Sequence, residues 1–141
     1  MPINKEMIQT ELDRIRYFLK KIDHMQMSKA DYLRNEDLQH LLAFRIQQAI
    51  EKCIDVATHI VANEAYETIE NARTAFEVLG KHQVLSPDLA QRIGKAVGMR
   101  NIIVHEYDEI NYDLLFETYT HHKSDIEAFV GEAIRYLEKV N

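Results

Sequence analysis

The sequence predicts an all-α protein, an up-and-down bundle of four long helices with a shorter fifth. Helix breakers are scarce, with four Gly and two Pro in 141 residues, and these are the residues that most disfavour a helix interior. Apolar residues also recur at intervals of three and four over long stretches, which gathers them on one face of a helix. A hydrophobic content of 46% beside 28% charged residues is globular composition. The length suits one helical domain over residues 1–141, with a core that needs no disulfide or metal.

Each helix follows from its own residues. The first, about 3–25, carries Ile8, Leu12, Ile15, Leu19 and Ile22 on one stripe. The polar segment "SKADYLRNEDLQ" offers Ser28 and Asn35 as N-caps and reads as a connection plus a helix entry. A longer helix follows, about 35–63, with Leu38, Leu41, Leu42, Ile46, Ala49, Ile50, Cys53, Ile54, Ala57, Ile60 and Val61 as its stripe. The short helix, about 68–80, carries Ile69, Ala72, Phe76 and Leu79 and is expected to stop at Gly80. "SPDL" at 86–89 starts the next one, with Ser86 as N-cap, Pro87 in the first turn and Asp88 favourable to the helix dipole. It runs through Leu89, Ile93, Ala96 and Val97 to about Val104. The last, about 111–139, presents Leu114, Leu115, Tyr119, Ile126, Phe129, Val130, Ile134 and Leu137.

The totals narrow the function. A net charge of −6 disfavours a general nucleic-acid coat, which wants a basic surface, yet permits a few cations gathered in one cleft. Dimerisation could draw such cations from two chains. No run approaches the roughly 20 apolar residues that span a bilayer, and "MPINKEMIQTELDR" lacks a signal-peptide core. A lone cysteine, Cys53, cannot form an internal disulfide, so a cytoplasmic, reducing location is expected. On its apolar stripe it reads as core.

One segment departs from ordinary bundle sequence. In "GMRNIIVHEYDEINYD", residues 98–113, Arg100, Asn101, His105 and Tyr107 stand among apolar neighbours. Arg100 and His105 differ by roughly 140° around a regular helix, whereas Asn101 and His105, four apart, share a face. A helix that turns near His105 could bring them toward one cleft, and Gly94 and Gly98 would let a partner backbone come close. A plain structural reading stands beside this: a satisfied core or interface histidine, and an arginine paired with Glu106 or Asp108. The functional reading is chemical. The planar guanidinium fits phosphate oxygens and imidazole moves protons near neutrality. That pair suits phosphodiester cleavage in which RNA supplies its own 2′-hydroxyl nucleophile.

"RNIIVHEY" matches R-x4-H-x-Y and resembles the motif of the HepT-like toxins of the HEPN superfamily. The likeness extends to "DLQHLLAFRIQQAIEKCIDVATHIVA" and to "TAFEVLGKHQVLSPDLAQRIGKAVGMRNIIVHEYDEIN", which look like that family's long second helix and its third and fourth. The resemblance implies a HEPN-like bundle and a metal-independent endoribonuclease toxin of a type VII (HEPN/MNT) toxin–antitoxin system. Its cleft would form where two subunits pack through the motif helices. It implies Arg100 on the scissile phosphate, His105 as general base or acid, and Asn101 orienting one of these groups. Tyr107 matches the tyrosine to which an MntA-type nucleotidyltransferase antitoxin transfers AMP, and the added phosphate would compete with RNA for Arg100. No cofactor is implied.

Other candidates are weaker. His121 and His122 point about 100° apart on a helix. Glu36 to His40, Asp55 to His59 and Glu117 to His121 are each one residue too wide for the Glu-x-x-His pairs of a di-iron bundle. Neither His-Glu-x-x-His nor a Cys pair occurs, so no metal site is expected. Asp55 and His59 read as an ion pair, and Glu51, Lys52 and Glu64 as solvated surface. Tyr66, Tyr112 and Tyr119 are interface candidates. No phosphate-binding loop is present, so ATP hydrolysis has no support. Two non-catalytic alternatives remain: a helical adaptor binding a nucleotidyltransferase or a nucleotide, and a bundle whose polar residues only specify dimer register.

Overall fold

The computed structural model describes residues 3–64 and 66–140, with the side chain of Tyr107 outside that description. Every regular element in these residues is helical. The order is α1 (Lys5–Asp23), α2 (Lys29–Leu33), α3 (Glu36–Glu64), α4 (Ala72–Lys81), α5 (Pro87–His105), a 3₁₀ turn (Tyr107–Glu109) and α6 (Tyr112–Lys139). The four long helices and the shorter α4 are those expected. What periodicity did not resolve is α2, whose five residues are too few to show a repeat.

The caps follow the sequence closely. Ser28 accepts from the Asp31 amide to start α2, Asn35 from the Leu38 amide at the head of α3, and Ser86 from the Leu89 amide to start α5. Each satisfies an amide that the helix itself leaves unpaired. Pro87 stands in the first turn of α5; Pro2 lies outside the described residues. The α4 boundary needs correction. Asn71, in extended backbone, caps α4 through the Thr74 amide, so the helix begins at Ala72 and Ile69 precedes it.

The expected stripes form one core. Ile8, Leu12 and Ile15 of α1, Ile46, Ile50 and Cys53 of α3, Phe76 and Leu79 of α4, Ile93 of α5 and Ile126 and Phe129 of α6 are all buried in the same cluster. Burying a side chain of this size contributes ~1.5–3 kcal/mol. The Cys53 thiol is wholly enclosed, and burial pushes its pKa up. α1 packs along α3, α4 along α5, and α6 against α1, α3 and α5. α2 is fixed by Tyr32, fully buried, whose hydroxyl donates to the Tyr112 carbonyl at 2.8 Å. Lys29 beside it pairs with Asp113 and Glu117 of α6.

Gly80 does not stop its helix. It lies inside α4, and a Cβ built there would sit 2.7 Å from the Ala90 Cβ of α5, so the glycine is what lets these two helices close together. Gly80→Ala is therefore expected to lower stability by ~1–3 kcal/mol through overpacking. Gly131→Ala, with nothing nearer than an Arg135 nitrogen at 4.0 Å, is expected to raise stability slightly through helix propensity. Urea denaturation of the two variants checks the contrast; equal midpoints would mean that α4 and α5 are not in close contact at this point.

Candidate active site

α5 delivers the motif to the surface. Its core face ends with Val97 and Ile103; between residues 101 and 105 only Ile103 is buried. His105 is the last residue of the helix, and the Glu106 amide closes it by donating to the Ile102 carbonyl at 2.9 Å. The 3₁₀ turn from Tyr107 follows at once, and Asn111 then caps α6 through the Leu114 amide. The helix thus ends at His105, and the chain turns there. Ile102 and Val104 remain exposed on this end of α5, and Leu114 at the start of α6 is exposed as well.

The side chains divide. Asn101 and His105 are exposed and share a face by their spacing. Arg100 turns toward α3 instead, half-buried, with its Nε 3.3 Å from the Glu51 Oε1. That Nε is enclosed, yet its N–H is not aligned for a hydrogen bond, so the contact is one of charge. Glu51, expected as solvated surface, is the arginine's counter-charge; neither Glu106 nor Asp108 takes that part. No hydrogen bond or ion pair among the described residues joins Arg100, Asn101 and His105 to one another. The side chain of Tyr107 lies outside the described residues.

The surroundings of His105 are acidic. It lines a shallow hollow of about 330 Å³ with Glu106, Asp108 and Glu109. These carboxylates give the end of α5 a negative local potential. Within the chain, glycines 94 and 98 underlie Arg73 of α4. Its Cγ lies 3.5 Å from where a Gly94 Cβ would stand, and its Nη2 3.4 Å from that of Gly98.

The remaining candidates fall into place as structure. Asp55 lies 3.9 Å from Lys52 rather than pairing with His59, whose Nε2 is enclosed without a partner. Lys52 also reaches Glu11 at 3.6 Å, and Glu64 accepts from the Tyr136 hydroxyl. Tyr66 stacks on His82 at 4.0 Å, and Tyr119 packs beside Phe116. Among the described residues no cluster of three or more His, Cys, Asp or Glu has the geometry to hold a metal ion, and no helix is long and apolar enough to cross a membrane.

His122 of α6 is half-buried with its Nε2 unpartnered. Burial lowers its pKa, the nearby Asp125 only partly opposing this. A folded-state value below the unfolded one means that its contribution to stability is present above about pH 6.5 and is lost as pH falls through the folded value. Acidification below about pH 6.5 is thus expected to destabilise the wild type more steeply than His122→Gln. Urea midpoints across that range measure it, and parallel curves would locate the acid sensitivity in other groups.

Comparison with known proteins settles the family. Residues 6–133 match the family described as "Ribonuclease HepT-like". The chain belongs to the ribonuclease HepT-like family. The resemblance drawn from "RNIIVHEY" is borne out, and with it the all-helical fold. Two named HepT relatives cover nearly all of the chain. The "mRNA nuclease HepT" of Shewanella oneidensis is 28% identical over 125 residues, 89% of this chain and 94% of the relative. The "tRNA nuclease HepT" of Aphanizomenon flos-aquae is 32% identical over 142 residues, 96% of this chain and 92% of the relative. Among solved structures, the tri-AMPylated Shewanella oneidensis HEPN toxin in complex with MNT antitoxin superposes with a TM-score of 0.85 at 27% identity. That match covers 91% of this chain and 96% of the other. In this HepT-like chain R-x4-H lies at the end of α5, with arginine and histidine turned to different sides of the helix.

Proposed function

We propose that this protein is an endoribonuclease toxin of a type VII (HEPN/MNT) toxin–antitoxin pair, acting in the cytoplasm without a metal. The observation that carries the reading is R-x4-H-x-Y at the exposed end of α5 in a HepT-like chain whose relatives are named as mRNA and tRNA nucleases. In the reaction, the 2′-oxygen of RNA attacks the adjacent phosphorus and the bond to the 5′-oxygen breaks. A cyclic phosphate and a free 5′-hydroxyl result. His105 takes the proton of the 2′-hydroxyl or gives one to the departing oxygen. Arg100, held by Glu51, stabilises the charge that gathers on the phosphate oxygens, and Asn101 orients the imidazole or the phosphate. The nucleophile belongs to the substrate, so no metal-generated hydroxide is called for.

A homodimer completes this site. Ile102, Val104 and Leu114 expose apolar surface around the motif, which supports a seam there; two copies of Arg100 and His105 would then face one groove. The test is degradation of RNA under metal chelation by wild type, Arg100→Ala and His105→Ala. Equal rates in all three would overturn the catalytic assignment.

Neutralisation is assigned to Tyr107. Its phenolic oxygen would attack the α-phosphate of ATP bound by an MntA-type nucleotidyltransferase, forming the adenylyl ester and releasing pyrophosphate. Incubation with that partner and ATP is expected to add adenylyl mass to wild type and none to Tyr107→Phe. Equal labelling of the variant would move the acceptor to another residue. The second reading, a non-catalytic adaptor for a nucleotidyltransferase or a nucleotide, is favoured by Glu51, which already neutralises Arg100. An adaptor is harmless on expression, whereas the nuclease arrests growth and His105→Ala relieves the arrest.

A further inference from the structure

The acidic chain must still grip a polyanion, and the carboxylates around His105 make this harder. Between α4 and α5 runs a groove of about 770 Å³ whose lining includes Arg73, Lys81 and Lys95, with Glu77 as its one acidic member. Lys81 is paired with Glu67 at 3.1 Å. Arg73 and Lys95 are exposed, and among the described residues neither is in an ion pair, unlike Arg92 and Arg100. Arg73 is also pre-positioned. Its Nε donates to the Gly94 carbonyl at 3.2 Å, and its guanidinium lies over Gly94 and Gly98. Anchoring through Nε leaves the two terminal nitrogens for an oxyanion.

The direction of the groove ties it to the motif. Gly94, Gly98, Asn101 and His105 follow one another at intervals of four, three and four, so they form one face of α5. The Arg73 guanidinium occupies the start of that face, and His105 stands about 10 Å further along the axis from Gly98. Cations line one end of this strip, and Glu106, Asp108 and Glu109 close the other just past the imidazole.

We propose that the α4–α5 groove is the track for the RNA backbone, with Arg73 binding a phosphate next to the scissile one and Lys95 assisting. The strand passes over the Arg73 guanidinium to Asn101 and His105, and the carboxylates beyond them mark its end. This rests on the ribonuclease reading above.

The test measures binding apart from cleavage. A fluorescent single-stranded 2′-O-methyl oligonucleotide, which lacks the internal nucleophile, is titrated with wild type, Arg73→Gln, Lys95→Gln and Arg14→Gln over a range of salt. Arg14 is an exposed arginine on α1, which packs on neither α4 nor α5, so it controls for net charge. Arg73→Gln is expected to weaken binding about tenfold and to reduce the salt slope by about 0.7, the value of one phosphate contact on a single strand. Lys95→Gln is expected to act in the same direction and carries the test if Arg73→Gln fails to fold. Arg73→Gln and Lys95→Gln behaving like Arg14→Gln would overturn the proposal. So would unchanged oligonucleotide binding with loss of a nucleotidyltransferase complex, which would give the groove to a protein partner. The ribonuclease reading fails separately, if wild type binds the probe with Arg73 dependence but leaves unmodified RNA uncut.

Discussion

His105→Ala is expected to slow RNA cleavage by about 100- to 10,000-fold, the usual contribution of a positioned proton-transfer group. His105 is exposed, so the truncation opens no core cavity and the loss should fall on turnover with little change in stability. Arg100→Ala is expected to cost about 100- to 1,000-fold, in the range of removing one donor to a developing oxyanion. It also leaves the Glu51 carboxylate without its guanidinium neighbour, so Arg100→Lys is the informative companion: it keeps the charge and loses the planar fork. The two groups act on one transition state, so the double variant should be little worse than the slower single one. Single-turnover cleavage of a defined oligonucleotide separates these outcomes. Full activity in His105→Ala would remove the imidazole from the chemistry.

The largest expected effect on stability is at Phe129. Phe129 of α6 and Phe76 of α4 are both fully buried, their rings edge to face with centroids 5.6 Å apart. α4 and α6 have no direct backbone packing, so these two rings bridge them across the core. Phe129→Ala removes one side of the bridge and leaves a cavity against Phe76, at a cost of ~3–5 kcal/mol. Urea denaturation should show a lower midpoint with an unchanged slope. A shift well under 1 kcal/mol would mean that the core collapses into the space. The variant also matters beyond stability, because α4 carries Arg73.

What the sequence disclosed and what it hid divide by range. The long helices were readable because a three-and-four repeat is local, and Ser28, Asn35 and Ser86 could be named because a cap acts within three residues of itself. The start of α4 differs from the periodic pattern because apolar Ile69 extends that pattern backwards, while the deciding signal is Asn71, two positions on. Gly80 looked like a stop since a terminating glycine and a close-packing one are the same letter; only Ala90, ten positions on, distinguishes them. The site divides in the same way. Asn101 and His105 on one face, and the helix end at His105, follow from spacing. Glu51 beside Arg100 is a contact between helices nearly fifty positions apart, and a glutamate next to a lysine on a long helix gives no hint of it. Arg73 was silent for the same reason: its glycine bed lies on the next helix.

Cys53 offers an experimental handle that its neighbours do not. A thiol sealed inside α3 meets an alkylating dye only when the bundle opens around it. Because the chain has no second cysteine, the labelling rate times that opening and nothing else. The motif end of α5 can then be altered at will, by variants, by RNA or by adenylylation, and the dye will tell whether the interior behind Glu51 has noticed.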